Sequence, residues 1–393
     1  MKLLITLSRV PYPLDKGDKL RAYYFIKYLS KYFDIVLFCV SSSKIHPETK
    51  EKLGVYCTEV HIYRLSKFFL IINLIKAFLK GLPLQVGYFY NKRAKNSLES
   101  FIRRHNPDYI LCQLVRMAEY VKDVNLPKML DYQDAFSYGL KRRIEKSDFF
   151  SKLILRIEFN RMLKYEHNVF DLFDKKIIIS DTDRMLIPHD LRKQIFIISN
   201  GVDTDYYKPT NITKEFDIMF SGNMSYPPNI DAVLFLVNEI LPIVNKDKKD
   251  IRVLIAGTSP ADAIKKLNSN NIKVTGWVDD MRLCYSKSKI FIAPMRLGIG
   301  LQNKLLEAMA MGLPCITTSL ANNALKATEN KEILVGNSKN ELAEALLKLL
   351  NDTEFRNYLS ENSIKFVKEN YSWEKNIEDL AKIIENKNCN EKN

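Results

Sequence analysis

The chain has 393 residues, of which 46% are hydrophobic and 27% are charged. This composition excludes a disordered or low-complexity protein, and the length favours two domains because single cores rarely grow past about 250–300 residues. The net charge of +14 comes from residues 1–200, which contain 35 Lys and Arg against 21 Asp and Glu, whereas residues 201–393 contain 25 of each. A general preference for lysine would raise the net charge of both halves equally, so we expect the first half to meet an anionic partner.

The cysteines and the apolar runs exclude two further classes of protein. Six cysteines are scattered without a C-x-x-C spacing or a neighbouring histidine cluster, so we expect reduced, buried thiols rather than a zinc site or a disulfide framework. The longest apolar run, "FFLIINLIKAFL" at 68–79, is shorter than the roughly 18 to 20 residues of a membrane-spanning helix. The sequence therefore predicts a cytoplasmic protein.

The first half alternates short apolar strands with helical periodicity. Strands are predicted at 2–8, 34–40, 108–113, 128–132 and 175–180, and helices at 19–32 and 151–170. Near-continuous apolar strands that alternate with helices are typical of a parallel sheet covered on both faces.

A polar stretch rich in Asn, with Asn-Gly and Pro, follows at 199–216, and the same rhythm then restarts. Strands are predicted at 217–222, 252–257, 272–276, 289–294 and 314–318. The predicted class is α/β, with two Rossmann-like domains and ligands at the carboxyl ends of the strands in an interdomain cleft. We assign 1–200 to an N-terminal acceptor domain, 201–212 to a linker, 213–370 to a C-terminal donor domain and 371–393 to a C-terminal helix that crosses back to the first domain.

Glycines end three strands of the second half, at Gly222, Gly257 and Gly276, and a G-x-G step at Gly298 and Gly300 precedes a helix. Glycine lets backbone N–H groups and a helix N-terminus approach a phosphate closely. A single strand-end glycine is ordinary turn chemistry, but the set favours a nucleotide cleft. It is not a dinucleotide fingerprint, because the third glycine is replaced by Asn303.

Two charged residues follow this step on one helix face. Lys304 lies in the first turn, where the helix dipole disfavours a cation unless an anion is held there. Glu307 lies one turn later, where a carboxylate can accept two hydrogen bonds from a sugar diol. The alternative is an ordinary surface ion pair between residues three apart, worth a few tenths of a kcal/mol.

The surrounding string, "LLEAMAMGLPCITT" at 305–318, closely resembles the donor-binding segment of the GT-B glycosyltransferases of family four, also called group 1. That segment reads roughly E-x7-E-A-M-A-x-G-x-P-V-V. Three more stretches resemble the same family in the same chain order: "SNGVDTDYYKP" at 199–209, "VTGWVDDMRLCYSKSKIFIAP" at 274–294 and "YSWEKN" at 371–376.

The resemblance implies a nucleotide-sugar donor in the second domain and an acceptor in the first. It also implies transfer with retained anomeric configuration, without a required metal and with no cofactor beyond the sugar nucleotide. In the family, the second glutamate of E-x7-E contacts the nucleotide ribose and falls on Glu307, whereas the first falls on Ile299. The contact that the first glutamate makes in the family is therefore missing in this chain.

A subgroup of bacterial exopolysaccharide and cell-surface sugar transferases shares two features with this chain. "PMRLGIGLQNKLLEAM" at 294–309 resembles its P-x-R-x-x-x-G-x-x-N-K-x-x-E-A-M pattern, and "PYPLDKGDKLR" at 11–21 resembles its opening segment. In the family, a glycine-containing loop after the first strand lies against the donor phosphates, which places Gly17 there. Asp18 replaces the usual second glycine.

Cations that neutralise a diphosphate must come from elsewhere, because "GNMSYPPNID" at 222–231 replaces the family's usual Arg and Lys. Arg296 and Lys304 are the candidates, since charge-assisted contacts to phosphate are strong. The remaining donor-binding residues are assigned around the glycine-ended strands and the helix start: Gly222, Asn223, Gly257, Gly298, Gly300 and Asn303.

A base or positioning group in the first domain is sought at the strand end "KMLDYQDAFS", 128–137. Asp131 and Asp134 are the candidates, and helix capping is the alternative for Asp134. Two D-x-D strings, at 181–183 and 203–205, follow strands, and we interpret them as caps and turns rather than as a metal site.

The stretch 63–83 combines aromatic, aliphatic and lysine residues. It is expected either to pack as a core helix with a wet edge or to lie in a membrane interface, with Lys67, Lys76 and Lys80 beside anionic lipid. The charge asymmetry favours peripheral contact with the plasma membrane.

These observations predict a metal-independent glycosyltransferase that moves a sugar from a nucleoside diphosphate to a glycan or lipid-linked acceptor in surface polysaccharide synthesis. The alternatives are a nucleotide-sugar epimerase or another enzyme of this fold, and a non-catalytic basic module that binds membrane. No nucleic-acid motif with interleaved aromatics is present, so nucleic acid is not an expected partner.

Overall fold

A computed structural model of the chain describes residues 1–145, 148–297 and 300–385, with backbone only for 67–69, 145 and 149. It divides into two compact units. The first comprises Met1–Ser199 together with the segment from Glu374, and the second comprises Asn200–Trp373.

The first unit is built on a seven-stranded parallel sheet in the order β3-β2-β1-β4-β5-β6-β7. Its five inner strands are almost wholly buried, as expected of a sheet covered on both faces, whereas the two edge strands are partly exposed. The strands are β1 Lys2–Leu7, β2 Asp34–Ser41, β3 Glu59–Arg64, β4 Tyr109–Gln113, β5 Lys128–Gln133, β6 Lys175–Ile178 and β7 Phe196–Ile197.

The helices of the first unit connect these strands and pack on the sheet. They are α1 Gly17–Leu29, α2 Thr49–Gly54, α3 Lys67–Leu79, α4 Leu84–Phe89, α5 Lys92–His105, α6 Ala118–Val121, α7 Phe136–Glu145, α8 Phe149–Phe170 and α9 Asp181–Leu186, with 3₁₀ turns at Val115–Met117 and Asp190–Gln194. The side chain of Asn91 caps α5 by accepting from the Ala94 N–H, which satisfies one otherwise unpaired backbone donor.

The second unit is built on a six-stranded parallel sheet in the order β10-β9-β8-β11-β12-β13. Its strands are β8 Phe216–Ser221, β9 Val253–Ala256, β10 Ile272–Val274, β11 Ser288–Ala293, β12 Cys315–Thr317 and β13 Leu334–Val335. The central strands β8 and β11 are neighbours, so the segments that follow them lie side by side at the carboxyl edge of the sheet.

The helices of the second unit cover both faces of this sheet. They are α10 Pro227–Phe235, α11 Leu241–Asp247, α12 Asp262–Lys265, α13 Met281–Ser286, α14 Asn303–Ala310, α15 Ser319–Leu325, α16 Lys339–Asn351 and α17 Thr353–Asn370, with a π turn at Leu236–Ile240. A final helix, α18 Trp373–Glu385, continues into the first unit.

Among the residues that the structure describes, one helix is long and apolar enough to cross a membrane. It spans Pro227–Asp247 with a mean hydropathy of 1.3, and half of that stretch is buried inside the protein. Its apolar residues belong to the core of the second unit, which accounts for its hydropathy, so it is weak evidence for a membrane span.

The predicted fold class is confirmed, and each predicted strand is present. The unit boundary lies at Ser199 and Asn200, and the predicted linker 201–212 falls within the second unit. Val202 forms a parallel bridge with Ser372 there. A Cβ on Gly201 would lie 2.6 Å from the backbone nitrogen of Trp373, so the chain passes too close for a side chain.

The C-terminal helix joins the first unit through three polar contacts. The Lys175 ammonium donates to the Ile383 carbonyl, Asn376 donates to the Ser199 carbonyl at 3.0 Å, and Lys31 pairs with Glu374. The predicted boundary at 371 therefore differs from the observed one by three residues.

Candidate active site

The glycines that end β8 and β9 lie against each other. A Cβ on Gly257 would come 1.8 Å from the carbonyl oxygen of Gly222, and both residues have positive φ, +144° and +153°. Gly257 is therefore required by the protein's own backbone, independently of any ligand. A Cβ on Gly222 would lie 3.3 Å from the Lys304 Nζ, so this glycine borders the predicted site directly. The third strand-end glycine, Gly276, has open space around it.

The Lys304 side chain points back from the first turn of α14 to the carboxyl edge of the sheet. Its Nζ donates to the Asn229 Oδ1 of α10, lies 4.5 Å from the centre of the Phe220 ring and 4.0 Å from the Met295 sulfur. Burial among these groups lowers the pKa of Lys304 to about 7, and the nearby Glu307 opposes that shift. A bound anion would stabilise the charged ammonium in this position.

Glu307 is held by a chain of hydroxyl groups. Tyr285 donates to the Glu307 carboxylate at 2.8 Å, and the Ser221 hydroxyl lies 2.9 Å from the same tyrosine oxygen. Burial raises the pKa of Glu307 to about 7, whereas hydrogen bonds from Tyr285 and Tyr207 and the charge of Lys304 act in the opposite direction. The carboxylate is thus oriented by neighbours on α13 and β8.

Lys304 and Glu307 are not an ordinary surface ion pair. Among the described residues no salt bridge joins them, and each is partly buried and bonded to a different partner. An ammonium beside a glycine backbone and a carboxylate one turn away can together bind a phosphate and a neighbouring diol. The local electrostatics therefore suit an anionic, hydroxyl-bearing ligand.

The structure places Arg296 in a different set of contacts. Its guanidinium pairs with Asp231 at 3.0 Å and Glu239 at 3.4 Å and stacks 4.0 Å above the Phe235 ring. Asp231 is the main cause of the raised pKa of Arg296. Because the guanidinium already has two carboxylate partners, binding a phosphate would require it to leave both, and its predicted role stays a prediction.

Two threonines at the end of β12 hold the segment between β11 and α14 in place through hydrogen bonds. Thr317 donates to the Ala293 carbonyl and Thr318 to the Met295 carbonyl, both at 2.7 Å. Gly300 has a φ of +97°, which favours glycine, and its carbonyl accepts from Gln302 at 3.2 Å. Gly298 and Ile299 lie outside the described residues.

Two predicted donor residues have structural partners of their own. The Asn223 side chain accepts from the Ser225 N–H at 2.9 Å, which closes a turn. The backbone carbonyl of Asn223 accepts from the Asn229 side chain at 2.9 Å. Asn303 opens α14 and accepts from Asn200 at 3.3 Å. Both shape the loop around Lys304, and neither contact tests a role in donor binding.

In the first unit, Asp131 has a role that differs from the predicted one. Its carboxylate receives two hydrogen bonds from Arg21, at 2.7 and 3.1 Å, and both side chains are 0% exposed. Arg21 also donates to the Ile198 carbonyl at 2.8 Å. A fully buried, paired carboxylate cannot reach a substrate, so Asp131 is a structural residue that joins α1 to β5.

Asp134, three residues later, keeps its side chain at the surface. Of the two predicted acidic residues, Asp134 is therefore the one that can meet a ligand. Gly17 begins α1, and a Cβ there would meet nothing closer than 3.9 Å, so the first unit itself does not require glycine at this position.

The D-x-D strings act as caps and turns, as predicted. Asp181 and Asp183 lie in the first turn of α9, where Ser180 caps the Asp183 N–H and Asp181 pairs with Arg184. The Asp203 carboxylate accepts from the Tyr206 N–H at 3.1 Å and closes a turn.

Sequence reasoning missed the polar partners of the site: Asn229, Tyr285 and Ser221. Asn229 and Tyr285 lie 75 and 22 residues away from their partners in the chain, and no spacing pattern signals such pairs. The same holds for Arg21, which contacts Asp131 across 110 residues.

Comparisons with known proteins find a matching family model and a relative that spans nearly the whole chain. Residues 215–352 match the family model described as "Glycosyl transferases group 1". A 44.6 kDa protein in the cps region of Klebsiella pneumoniae, described as uncharacterized, is 23% identical over 410 residues, which cover 97% of this chain and 99% of the relative.

Solved structures show the same fold at low identity. Anabaena Alr3699/HepE in complex with UDP has a TM-score of 0.71 at 14% identity, covering 98% of this chain and 99% of that one. WaaG, a glycosyltransferase involved in lipopolysaccharide biosynthesis, has a TM-score of 0.67 at 14% identity, covering 98% and 100%. The segment that matches the group 1 glycosyltransferase model contains Lys304 and Glu307, and the chain as a whole has the GT-B fold of these solved structures.

Proposed function

We propose that the chain transfers a sugar from a nucleoside diphosphate sugar, held in the second unit, to a glycan or lipid-linked acceptor. The observation that carries this proposal is the Lys304 ammonium, which is held at the carboxyl edge of the sheet beside the Gly222 backbone. Ligands of open parallel sheets bind at that edge. Glu307, oriented by Tyr285, is assigned to the ribose diol of the same nucleotide.

In the proposed reaction, Lys304 stabilises the charge that develops on the departing nucleoside diphosphate as the bond from the sugar C1 breaks. Electrostatic stabilisation of this kind costs no reorganisation when the donor is already in place. The acceptor hydroxyl forms the new bond to C1, and its proton passes to the leaving phosphate oxygen, which gives retention without a protein nucleophile. Transfer without a metal or other cofactor belongs to the proposal, and activity that persists in EDTA tests it.

For the first unit we propose that Asp134 orients the acceptor. Its side chain is accessible, whereas Asp131 is sealed in the pair with Arg21. Asp134→Asn should leave the chain folded and donor binding intact but lower turnover. If turnover is unchanged, Asp134 has no part in acceptor binding.

The acceptor is proposed to belong to a surface polysaccharide. Two kinds of support are available: the Klebsiella relative lies in a cps region, and WaaG is involved in lipopolysaccharide biosynthesis. The HepE structure in complex with UDP makes a uridine nucleotide the first donor to test.

We also propose peripheral membrane contact at an apolar surface on α3 and α8. On α3, Ile71, Ile75 and Leu79 are 65%, 57% and 79% exposed, and they recur at the spacing of one helix face. On α8, Phe150 and Leu153 are 80% and 61% exposed. An exposed apolar helix face beside basic residues suits a membrane interface.

Helices α3 and α8 contact each other within the first unit. The guanidinium of Arg161 on α8 lies 4.4 Å above the ring of Phe78 on α3. Lys76 and Lys80 lie at the edge of the α3 face, where they can reach anionic headgroups. Lys67, the third lysine predicted here, lies outside the described side chains.

A thermal-shift screen of UDP, GDP, ADP, CMP and dTDP tests donor binding. The matching nucleotide should raise the Tm of the native chain by mass action and should raise that of Lys304→Met less at the same concentration. The anomeric configuration of the product, read by NMR, then tests retention. Conversion of the sugar nucleotide to an epimer without any acceptor would support the epimerase alternative instead.

A further inference from the structure

Four neighbouring strands of the first unit each end in a basic residue. Arg64 is the last residue of β3, and Lys44, Arg9 and Arg116 follow β2, β1 and β4 by two or three residues. These strands are parallel and adjacent in the order β3-β2-β1-β4, so the four residues follow one edge of the sheet, where open parallel sheets bind their ligands. Part of the excess charge of residues 1–200 is thus concentrated at this edge.

Three of these four cations have no carboxylate partner. Arg9 pairs with Asp18. In the part of the chain that the structure describes, no Asp or Glu oxygen lies within 4 Å of Lys44, Arg64 or Arg116. Like charges held along one edge repel each other, and a bound anion would remove that repulsion. The edge is therefore complementary to an anionic ligand.

A cavity of about 430 Å³ lies at the ends of β2 and β3. Its charged lining residues are Lys44 and Arg64, and its hydroxyl groups come from Tyr88 and from three consecutive serines at 41–43. Hydroxyl groups both donate and accept hydrogen bonds, so they match the hydroxyls of a sugar. Leu65, the apolar residue of this lining, is buried, and the cavity therefore suits a polar ligand rather than an acyl chain.

Hydrogen bonds fix the walls of this cavity. Strands β2 and β3 stay paired as far as Ser41 and Arg64, and the Leu65 N–H donates to the Ser41 carbonyl at 2.8 Å. The Ser42 hydroxyl lies 3.2 Å from the Tyr88 hydroxyl. The cavity is therefore formed before a ligand binds.

Arg116 is connected to this cavity through two aromatic rings. Tyr88 packs edge-on against Phe89 with ring centres 4.9 Å apart, and the Arg116 guanidinium lies 5.2 Å from the centre of the Phe89 ring. Gln85 accepts from one Nη of Arg116 at 2.9 Å, whereas its buried Nε has no acceptor among the described residues. Burial and the charge of the nearby Arg9 lower the pKa of Arg116 to about 10. An anion that accepts from this guanidinium would stabilise its charged form.

We propose that the acceptor is an acidic glycan, whose carboxylate or phosphate groups bind Lys44, Arg64 and Arg116 while its hydroxyls meet the serines of the cavity. The inference rests on the proposed function and names the chemical class of its acceptor. A guanidinium fork matches two oxygens of a carboxylate or a phosphate. Asp134, which is proposed to orient the acceptor, is near enough to Arg116 to act on its charge, so both can contact one glycan.

The binding test uses the full chain and two pairs of soluble glycans, measured by isothermal titration. Tetragalacturonate is compared with its methyl ester, and maltotetraose 1-phosphate with maltotetraose, so the members of each pair differ chiefly in charge. At least one acidic member should bind saturably and about tenfold or more tightly than its neutral partner, which is about 1.4 kcal/mol. Binding of tetragalacturonate alone would identify the recognised group as a carboxylate, and binding of the phosphorylated glycan alone as a phosphate. The proposal is overturned if neither acidic member binds, or if the neutral members bind as tightly.

Matched double variants locate the binding. Lys44→Gln with Arg64→Gln removes the two exposed cations of the cavity. Arg103→Gln with Lys164→Gln removes an exposed arginine and an exposed lysine from α5 and α8, which lead to the opposite edge of the sheet. In about 0.1 M salt, distant exposed charges are largely screened, so the cavity pair should bind the acidic glycan about tenfold more weakly and the control pair almost natively. Arg116→Gln should also weaken binding, and equal losses in the two double variants would overturn the proposal.

The nucleotide thermal shift separates this inference from the proposed function. The cavity lies in the first unit and Lys304 in the second, so the shift should be unchanged in both double variants. A normal shift without binding of an acidic glycan would defeat this inference alone, whereas no shift with any nucleotide would defeat the proposed function. Soluble dihexanoyl phosphatidylglycerol that displaces the glycan at equal affinity would assign the cations to a lipid headgroup and overturn the assignment to a glycan.

Discussion

The pH dependence of donor binding follows from the surroundings of Lys304. Burial lowers the pKa of its ammonium to about 7 in the free protein, whereas a bound diphosphate favours the charged form and raises that pKa. Above pH 7 the site must therefore take up a proton to bind. Each pH unit costs about 1.36 kcal/mol, or tenfold in affinity, as long as the pKa in the complex stays above the working pH.

Glu307 should produce the opposite, acidic limb of the pH profile of donor binding. Burial raises the pKa of its carboxyl to about 7, and the ribose diol is bound by the ionised form, so affinity should also fall as pH decreases below 7. The expected profile is bell-shaped. Lys304→Met should remove the alkaline limb and Glu307→Gln the acid limb.

The magnitude for Lys304→Met at pH 7 follows from the contact it removes. A hydrogen bond to a charged group contributes about 1.5–3 kcal/mol, which corresponds to roughly 10- to 150-fold weaker binding. The folded chain should lose little stability, because the native state disfavours the charged form of this lysine. A residue kept despite such a cost is typical of a binding site.

Isothermal titration of a sugar nucleotide between about pH 6 and 9 measures all of these effects, because its diphosphate does not titrate in that range. Lys246→Met is the matched control, since Lys246 is an exposed lysine of the same unit. If Lys304→Met binds with native affinity, or keeps the alkaline limb, then Lys304 does not contact the diphosphate. The assignment of the site would fail with it.

Three further substitutions test other parts of the structure. Asp131→Asn should destabilise the chain by about 3–5 kcal/mol in urea unfolding, because it leaves Arg21 buried without its counter-charge; a change below about 1 kcal/mol would contradict the buried pair. Gly257→Ala should also lower the midpoint of unfolding, since its Cβ would overlap the Gly222 carbonyl, and native stability would show that this close approach is not present. Gly17→Ala should unfold like the native chain, as space for a Cβ exists there, yet turn over more slowly; unchanged kcat and KM would remove the loop from the donor phosphates.

Much of the site was predictable because its chemistry is local. Gly222, Lys304 and Glu307 follow strands or begin a helix, and parallel strands bring their carboxyl ends to one edge wherever they lie in the chain. The alternating pattern of apolar strands and helices likewise predicts both sheets.

For other residues, the sequence alone could not decide between a structural role and a role in binding. Asp131 and Asp134 are two acidic residues three apart at one strand end, and only packing shows that the first is sealed against Arg21 while the second is exposed. The sequence likewise does not show that Arg296 is paired, because the two carboxylates that bind its guanidinium belong to residues far away in the chain.

The amino-acid order thus specifies what depends on neighbours in the chain: strand and helix periodicity, glycine bends, and a cation placed in a helix's first turn. The tertiary structure decides what depends on distance in space, such as the Asn229 partner of Lys304, the Tyr285 hydroxyl on Glu307 and the basic, serine-lined cavity at the ends of β2 and β3. Desolvation and pairing determine whether a charged side chain is structural or free to bind, and both are set by residues tens to more than a hundred positions away.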